Sequence, residues 1–257
     1  MEIMKCKYCG KEYKLNSANF LSILSPEMQE KLKYIPDCDC LEKITQQEQE
    51  EREKALEKER VLNKIKKYRD ISVIDKKLVN SRFENAEMTD RHMSLCKRYA
   101  EKFVKVGTAP QGLLMYGSVG TGKTFASACI ANYLMDNNKT VLVMNLGLYL
   151  MKLKKEWDEA ESNVLEYVKK CDLLIIDDFG VEKTTEFVLD KTFALIDTRY
   201  RAEKPLIITT NLSQEKIFDK FGLRIADRLQ EMCYSLKIEG ESKRANKKRE
   251  EFMEFIA

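Results

Sequence analysis

Three features of the sequence predict an α/β protein: a central parallel β-sheet flanked by helices, preceded by a small cysteine-bearing module and a charged helical connector. Four short runs, Leu113–Tyr116, Val141–Asn145, Leu173–Ile176 and Leu206–Thr210, are almost wholly apolar, as expected of strands covered on both faces. Successive runs start 25 to 35 residues apart, which leaves room for a crossover helix between parallel neighbours. The first run leads into a glycine-rich turn and then a helical stretch, Phe125 to Met135.

The composition bounds the function classes. Of 257 residues, 34% are charged and 44% hydrophobic, so enough apolar surface remains to offset the entropy of folding and a wholly disordered chain is excluded. Lys and Arg number 45 against 42 Asp and Glu, a net charge of only +3, which excludes a general polycation but not a local basic face. No apolar run approaches the roughly 20 residues that span a bilayer, and the first residues, Met1 to Cys6, lack the apolar core of a signal peptide. The expectation is a cytoplasmic protein without a membrane partner.

In chain order, residues 1–45 form the first zone. They hold Cys6, Cys9, Cys38 and Cys40, with Pro26 and Pro36. Cys6-x2-Cys9 resembles a zinc knuckle in which Gly10 permits the reversal, and Cys38-x-Cys40 completes four thiolate ligands for Zn²⁺. Such an ion would organise a segment too small to build its own core. A redox pair and unligated thiols are the alternatives. The other four cysteines, Cys96, Cys129, Cys171 and Cys233, stand singly and read as small buried hydrophobes.

Residues 46–75 are the connector. From Glu42 to Asp70 the chain carries 8 acidic and 9 basic residues, with neither Gly nor Pro. Leu62, Ile65 and Tyr68 give a thin apolar stripe, so an exposed helix of about 45 Å is expected, either a solvated connector or a partner-binding coiled coil.

Residues 76–257 hold the sheet and its chemistry. Gly117-Ser118-Val119-Gly120-Thr121-Gly122-Lys123-Thr124, followed by Phe125, fits Gly-x4-Gly-Lys-Ser/Thr between a strand and a helix. Its backbone amides would face the phosphates of ATP, Lys123 would bring a charge to the β and γ phosphates, and the Thr124 hydroxyl would ligate Mg²⁺. Leu173–Ile176 delivers Asp177 and Asp178 to a strand's carboxyl end, where open α/β sheets bind ligands. Asp177 would hold Mg²⁺, largely through water, and Asp178 would polarise the attacking water. Asn211, after Ile207–Thr210, would orient that water or simply serve as a turn residue.

With these blocks in place, residues 80 to 245 resemble an AAA+ ATPase, and more narrowly the DnaC/DnaI-like helicase loaders and their IstB-type relatives. The resemblance rests on Ser81-Arg-Phe-Glu-Asn, Gly112 through Thr124, Asp172-Leu-Leu-Ile-Ile-Asp-Asp-Phe-Gly, Lys204-Pro-Leu-Ile-Ile-Thr-Thr-Asn-Leu and Gly222-Leu-Arg-Ile-Ala-Asp-Arg-Leu. It implies that Asn211 senses the γ phosphate and that Arg228 is an arginine finger entering a neighbouring subunit's ATP site. Arg244 would be a second sensor contacting nucleotide in its own subunit. Without the resemblance, Arg224 and Arg228 read as residues on an exposed helix face, and Arg199 as surface packing or as facing an interface. Many AAA+ proteins carry Asp-Glu where this chain has Asp177-Asp178, and the shorter carboxylate implies slow turnover.

The resemblance further implies that the cysteine module grips a replicative DnaB-type hexameric helicase. It also places single-stranded DNA near the stretch after the second strand. There Lys152, Lys154 and Lys155 would meet phosphates, and Tyr149 or Trp157 would stack on a base. The tail residues Lys243, Arg244, Lys247, Lys248 and Arg249 form a second basic candidate, with a solvated helix as the alternative. The expected function is an ATP-dependent helicase loader that self-assembles through its ATP site. The alternatives are an IstB-like transposition ATPase and a nucleotide-gated DNA-binding switch with negligible turnover.

Overall fold

The computed structural model describes residues 5–18, 23–72, 78–86, 90–155, 159–242, 253 and 255–256. The chain divides into two compact units, Met1–Arg60 and Val61–Ala257.

In the first unit, β1 (Tyr13–Leu15) pairs antiparallel with β2 (Tyr34–Pro36), setting Tyr13 opposite Pro36 and Leu15 opposite Tyr34. A short helix, α1 (Pro26–Leu32), with proline in its first turn, lies between them in sequence. Among the unit's described residues only Cys6 is buried. A hairpin with so little apolar cover needs a staple of another kind. The long helix α2 (Cys40–Ile71) starts at the fourth clustered cysteine and buries only Ile65 and Tyr68. The expected charged connector is thus a helix, and only the end of its apolar stripe is used, since Leu62 is exposed.

The second unit is built on a five-stranded, all-parallel sheet. Its strands are β3 (Gly112–Tyr116), β4 (Val141–Asn145), β5 (Leu173–Asp177), β6 (Leu206–Thr210) and β7 (Cys233–Lys237), in the spatial order β4-β5-β6-β3-β7. The four predicted runs are its first four strands. β7 escaped the sequence reading because only part of it is covered: Cys233 and Leu236 are buried while Tyr234 and Lys237 are exposed, so it lacks the continuous apolar run of the other four strands.

Alternate residues feed two cores. Leu113, Met115, Val141, Val143, Leu173, Ile175 and Ile207 face α3 (Arg91–Val106) and α4 (Lys123–Asp136). Leu114, Leu142, Met144, Leu174, Ile176, Leu206 and Ile208 face the opposite layer. That layer comprises α5 (Leu146–Lys155), α6 (Glu159–Lys170), α7 (Glu186–Arg201), α8 (Gln214–Phe221) and α9 (Leu223–Met232). The period-2 split is the signature of a sheet with helices on both faces. α3 shows how its own sequence ends it. The Asp90 side chain accepts from the His92 amide at 2.9 Å, and Gly107, at φ 99°, closes the other end by donating to the Phe103 carbonyl. Among the described residues no helix is long and apolar enough to cross a membrane.

The four single cysteines are buried, as expected, and burial pushes the thiols of Cys96, Cys129 and Cys233 up to about 12. Arg199 departs from expectation: it is wholly buried instead of lying on the surface. Its Nε and Nη2 donate to the Pro205 carbonyl, Nη1 to those of Val168 and Cys171, and Nη2 also to that of Asp172, all at 2.8 to 3.0 Å. The carbonyls at the end of α6 and the start of β5 thereby find donors that their own backbone cannot supply. Replacement Arg199→Met leaves those buried acceptors without partners. Urea unfolding should show a loss of about 3 kcal/mol, and a change below about 0.5 kcal/mol would contradict this accounting.

Candidate functional site

The site forms where β3, β5 and β6 end side by side. β6 is the middle strand, with Tyr116 of β3 opposite Thr210 and Ile176 of β5 opposite Ile208. The turn Gly117–Gly122 leaves β3, and Gly122 is the N-cap of α4, so the first amides of that helix open onto the turn. Lys123 is buried, and its Nζ donates to the carbonyls of Gly117 at 2.8 Å and Ser118 at 2.6 Å. The ammonium thus lies folded within the loop that would receive phosphate. The Thr121 hydroxyl closes the same turn on the Ser118 carbonyl at 3.0 Å. Ser118 and Val119 are exposed at the tip, and Phe125 is half-buried in the first turn of α4.

The turn is confined from outside as well. After β7 the Ile238 amide donates to the Tyr116 carbonyl at 2.8 Å. A Cβ at Gly117 would collide with the Ile238 carbonyl oxygen, and one at Gly120 with the Ser242 side chain. Both glycines have positive φ, 138° and 83°, so space and backbone conformation each require glycine there.

Asp177 ends β5, and its carboxylate accepts from the Thr209 hydroxyl of β6 at 2.5 Å and from the Thr124 hydroxyl. Burial raises the Asp177 pKa, with the neighbouring Asp178 adding to it, while the two threonine hydrogen bonds act the other way. The structure therefore brings together Thr124 and Asp177, the residues expected to ligate Mg²⁺. Two oxygen groups suit a hard cation of this kind.

Asp178 is exposed and sits at φ 53°, a left-handed conformation. The Thr209 hydroxyl receives its amide at 3.0 Å, and the Thr209 carbonyl receives the next amide, from Phe179, at 2.8 Å. Asn211 is exposed just past β6, between the strand carrying the aspartates and the strand leading into the turn. Thr209, 1% exposed, is the site residue that sequence reasoning missed. Its apolar-looking run hid it, and only the strand register shows that its hydroxyl holds both aspartates.

Arg228, on α9, makes its contacts elsewhere. It pairs with Asp197 of α7 at 2.6 Å and lies over the rings of Phe193 and Tyr200. Arg224 is exposed on α9, whereas Arg228 is largely covered, so the pair does not form one exposed face. Tyr149 is part of the core at 6% exposure, which removes it as a stacking platform for a base. Lys152, Lys154 and Lys155 belong to α5, but their side chains lie outside the described residues, as do Trp157, Lys243, Arg244, Lys247, Lys248 and Arg249.

In the first unit the Sγ atoms of Cys6, Cys9, Cys38 and Cys40 all lie within 4.8 Å of one another. The turn that gathers the first two is closed by the Gly10 amide on the Cys6 carbonyl at 2.8 Å and the Cys6 amide on the Lys11 carbonyl at 2.7 Å. The amides of Cys9 and Tyr8 hydrogen-bond the Cys6 sulfur and lower its pKa to about 6. Proton sharing with Cys9 and Cys38 raises Cys40 to about 12. A tetrahedron of sulfurs at the usual zinc–sulfur distance has edges of about 3.8 Å, so a small contraction of this group fits Zn²⁺.

The geometry of the Thr209 contact predicts that Thr209→Val, which keeps the shape and removes the hydroxyl, weakens Mg²⁺-dependent nucleotide binding about ten-fold. Thr209→Ser should restore it. Calorimetry with Mg²⁺ and with chelator checks this, and equal loss in both conditions would count against a role through Asp177.

The model of the IstB-like ATP binding protein family matches residues 28–251. The replicative helicase loader DnaI of Bacillus subtilis is 23% identical over 66% of this chain, a match spanning 60% of that protein's length. The replicative helicase loader DnaC of Escherichia coli is 27% identical over 69% of this chain and 74% of that protein. The crystal structure of a DnaI chain superposes with a TM-score of 0.57 at 24% identity, covering 67% of this chain and 95% of that one. The fold is that of the AAA+ proteins, and the chain belongs to the IstB-like ATP-binding protein family.

Proposed function

We propose that this protein is an ATP-controlled loader of a replicative DNA helicase. The observation that carries the ATP site is the joining of Thr124 and Asp177 beside a glycine turn that encloses Lys123. The helicase assignment is supported by the loader relatives, and by a cysteine module forming a unit separate from the ATPase fold.

On this reading Lys123 moves from its two carbonyls to the β and γ phosphates as the turn takes up ATP. Thr124 and Asp177 would hold Mg²⁺, which when bound supplies positive charge to those phosphates. Asp178 and Asn211 orient the attacking water. Arg228 reaches the γ phosphate of a neighbouring subunit, so that hydrolysis follows assembly. Asp178 in place of glutamate fits a slow switch. Zn²⁺ held by Cys6, Cys9, Cys38 and Cys40 keeps the first unit folded for gripping the hexameric helicase, and single-stranded DNA binds under ATP control. A second reading, an ATPase that assists transposition, draws support from the family model itself.

Co-purification with ATP present separates the two. Recovery of a hexameric helicase supports the loader, and recovery of a transposase supports the second reading. Lys123→Ala should abolish ATP turnover, and Arg228→Ala should retain ATP binding while losing assembly-stimulated hydrolysis by roughly 10³-fold. Unchanged turnover in the first variant would refute the site. Elemental analysis of anaerobically purified protein should find one zinc per chain, and its absence would rule out the four-cysteine site.

A further inference from the structure

Two arginines are drawn into the second unit, and the fold treats them differently. Arg199 has an acceptor for every nitrogen of its guanidinium. Arg228 is seated on α7: its Nη2 lies 2.6 Å from Asp197 Oδ1, and its guanidinium carbon is 4.5 Å from the Phe193 ring centre and 5.2 Å from that of Tyr200. The Arg228 side chain is 21% exposed and that of Asp197 16%.

The seat is incomplete. Among the described residues, Arg228 Nη1 and Asp197 Oδ1 are both shielded from water without an aligned hydrogen-bond partner. The short contact is therefore an ion pair whose geometry wastes part of its hydrogen-bonding capacity. The other Asp197 oxygen is taken by Arg201 Nε at 2.7 Å, so one carboxylate serves two guanidinium groups. A guanidinium is best satisfied by two oxygens in a plane, which phosphate offers and this seat does not.

We propose that Asp197, Phe193 and Tyr200 form an intramolecular latch. It parks Arg228 in the isolated subunit and releases it to the triphosphate held by the glycine turn of a second copy of this chain. The proposal rests on the reading of Arg228 as a group that acts in trans. Release exchanges a misaligned carboxylate contact for aligned phosphate oxygens, and Arg201 stays behind to keep Asp197 paired. The aromatic seat makes departure unfavourable until a nucleotide-bearing neighbour is present, so solitary subunits keep their arginine covered.

The test measures single-turnover ATP hydrolysis by the full chain against protein concentration. Asp197→Asn and Phe193→Leu each loosen the seat and should lower the concentration for half-maximal hydrolysis about three- to ten-fold. Phe193→Leu leaves every charge in place and carries the comparison if Asp197→Asn loses its cooperative thermal melt. Mixing Arg228→Ala with Lys123→Ala protein tests the underlying reading separately, because rescue requires the second protein's Arg228 to serve the first protein's ATP site. If Arg228→Ala alone keeps the stimulated rate, or mixing gives no rescue, Arg228 does not act in trans. If rescue occurs but both seat variants leave the half-maximal concentration unchanged or raise it, the latch is overturned.

Discussion

The register of β6 between β3 and β5 is the constraint on which the site depends. Pairing Ile208 with Ile176 and Thr210 with Tyr116 leaves Thr209 with its hydroxyl against the Asp177 carboxylate and the Asp178 amide. A slip of one residue would send that hydroxyl to the other face of the sheet, away from both aspartates. Sheet assembly and the placement of the acidic pair are therefore one event. The apolar runs that bury the strands also fix which oxygen meets which.

Arginine chemistry divides the same unit into a settled part and an unsettled one. Arg199 joins the end of α6, the start of β5 and the approach to β6 mainly through backbone carbonyls. Burial pulls its pKa below the ordinary guanidinium value, yet the carbonyl dipoles accommodate its charge. Arg228 has one shared carboxylate and two aromatic faces. The first arrangement holds the scaffold under the acidic pair, and the second leaves a cation with a better partner to find.

Much of this was legible in the sequence, for reasons that differ by residue. The first four strands of the sheet were readable because burial on both faces makes their runs continuously apolar, and the glycine turn because its spacing has few other uses. The long helix was visible as charge density without Gly or Pro. β7 was not, since only Cys233 and Leu236 of it are buried. Arg199 was misread because a lone arginine gives no sign of the four carbonyls waiting for it, which come from two stretches of chain, 168–172 and Pro205. Tyr149 was misread as accessible because its neighbours on α5 include three lysines, whereas its own position on the helix faces the core. Thr209 required the register, which no single strand contains.

The segment that follows β7 lies against the glycine turn, with the Ile238 carbonyl over Gly117 and Ser242 over Gly120. These two stretches are more than a hundred residues apart in sequence, yet they lie in direct contact. They form a single packed surface. A chimaera that exchanged everything after β7 for the tail of a relative would alter the mould into which the phosphate-facing turn is pressed, even with every residue of that turn kept.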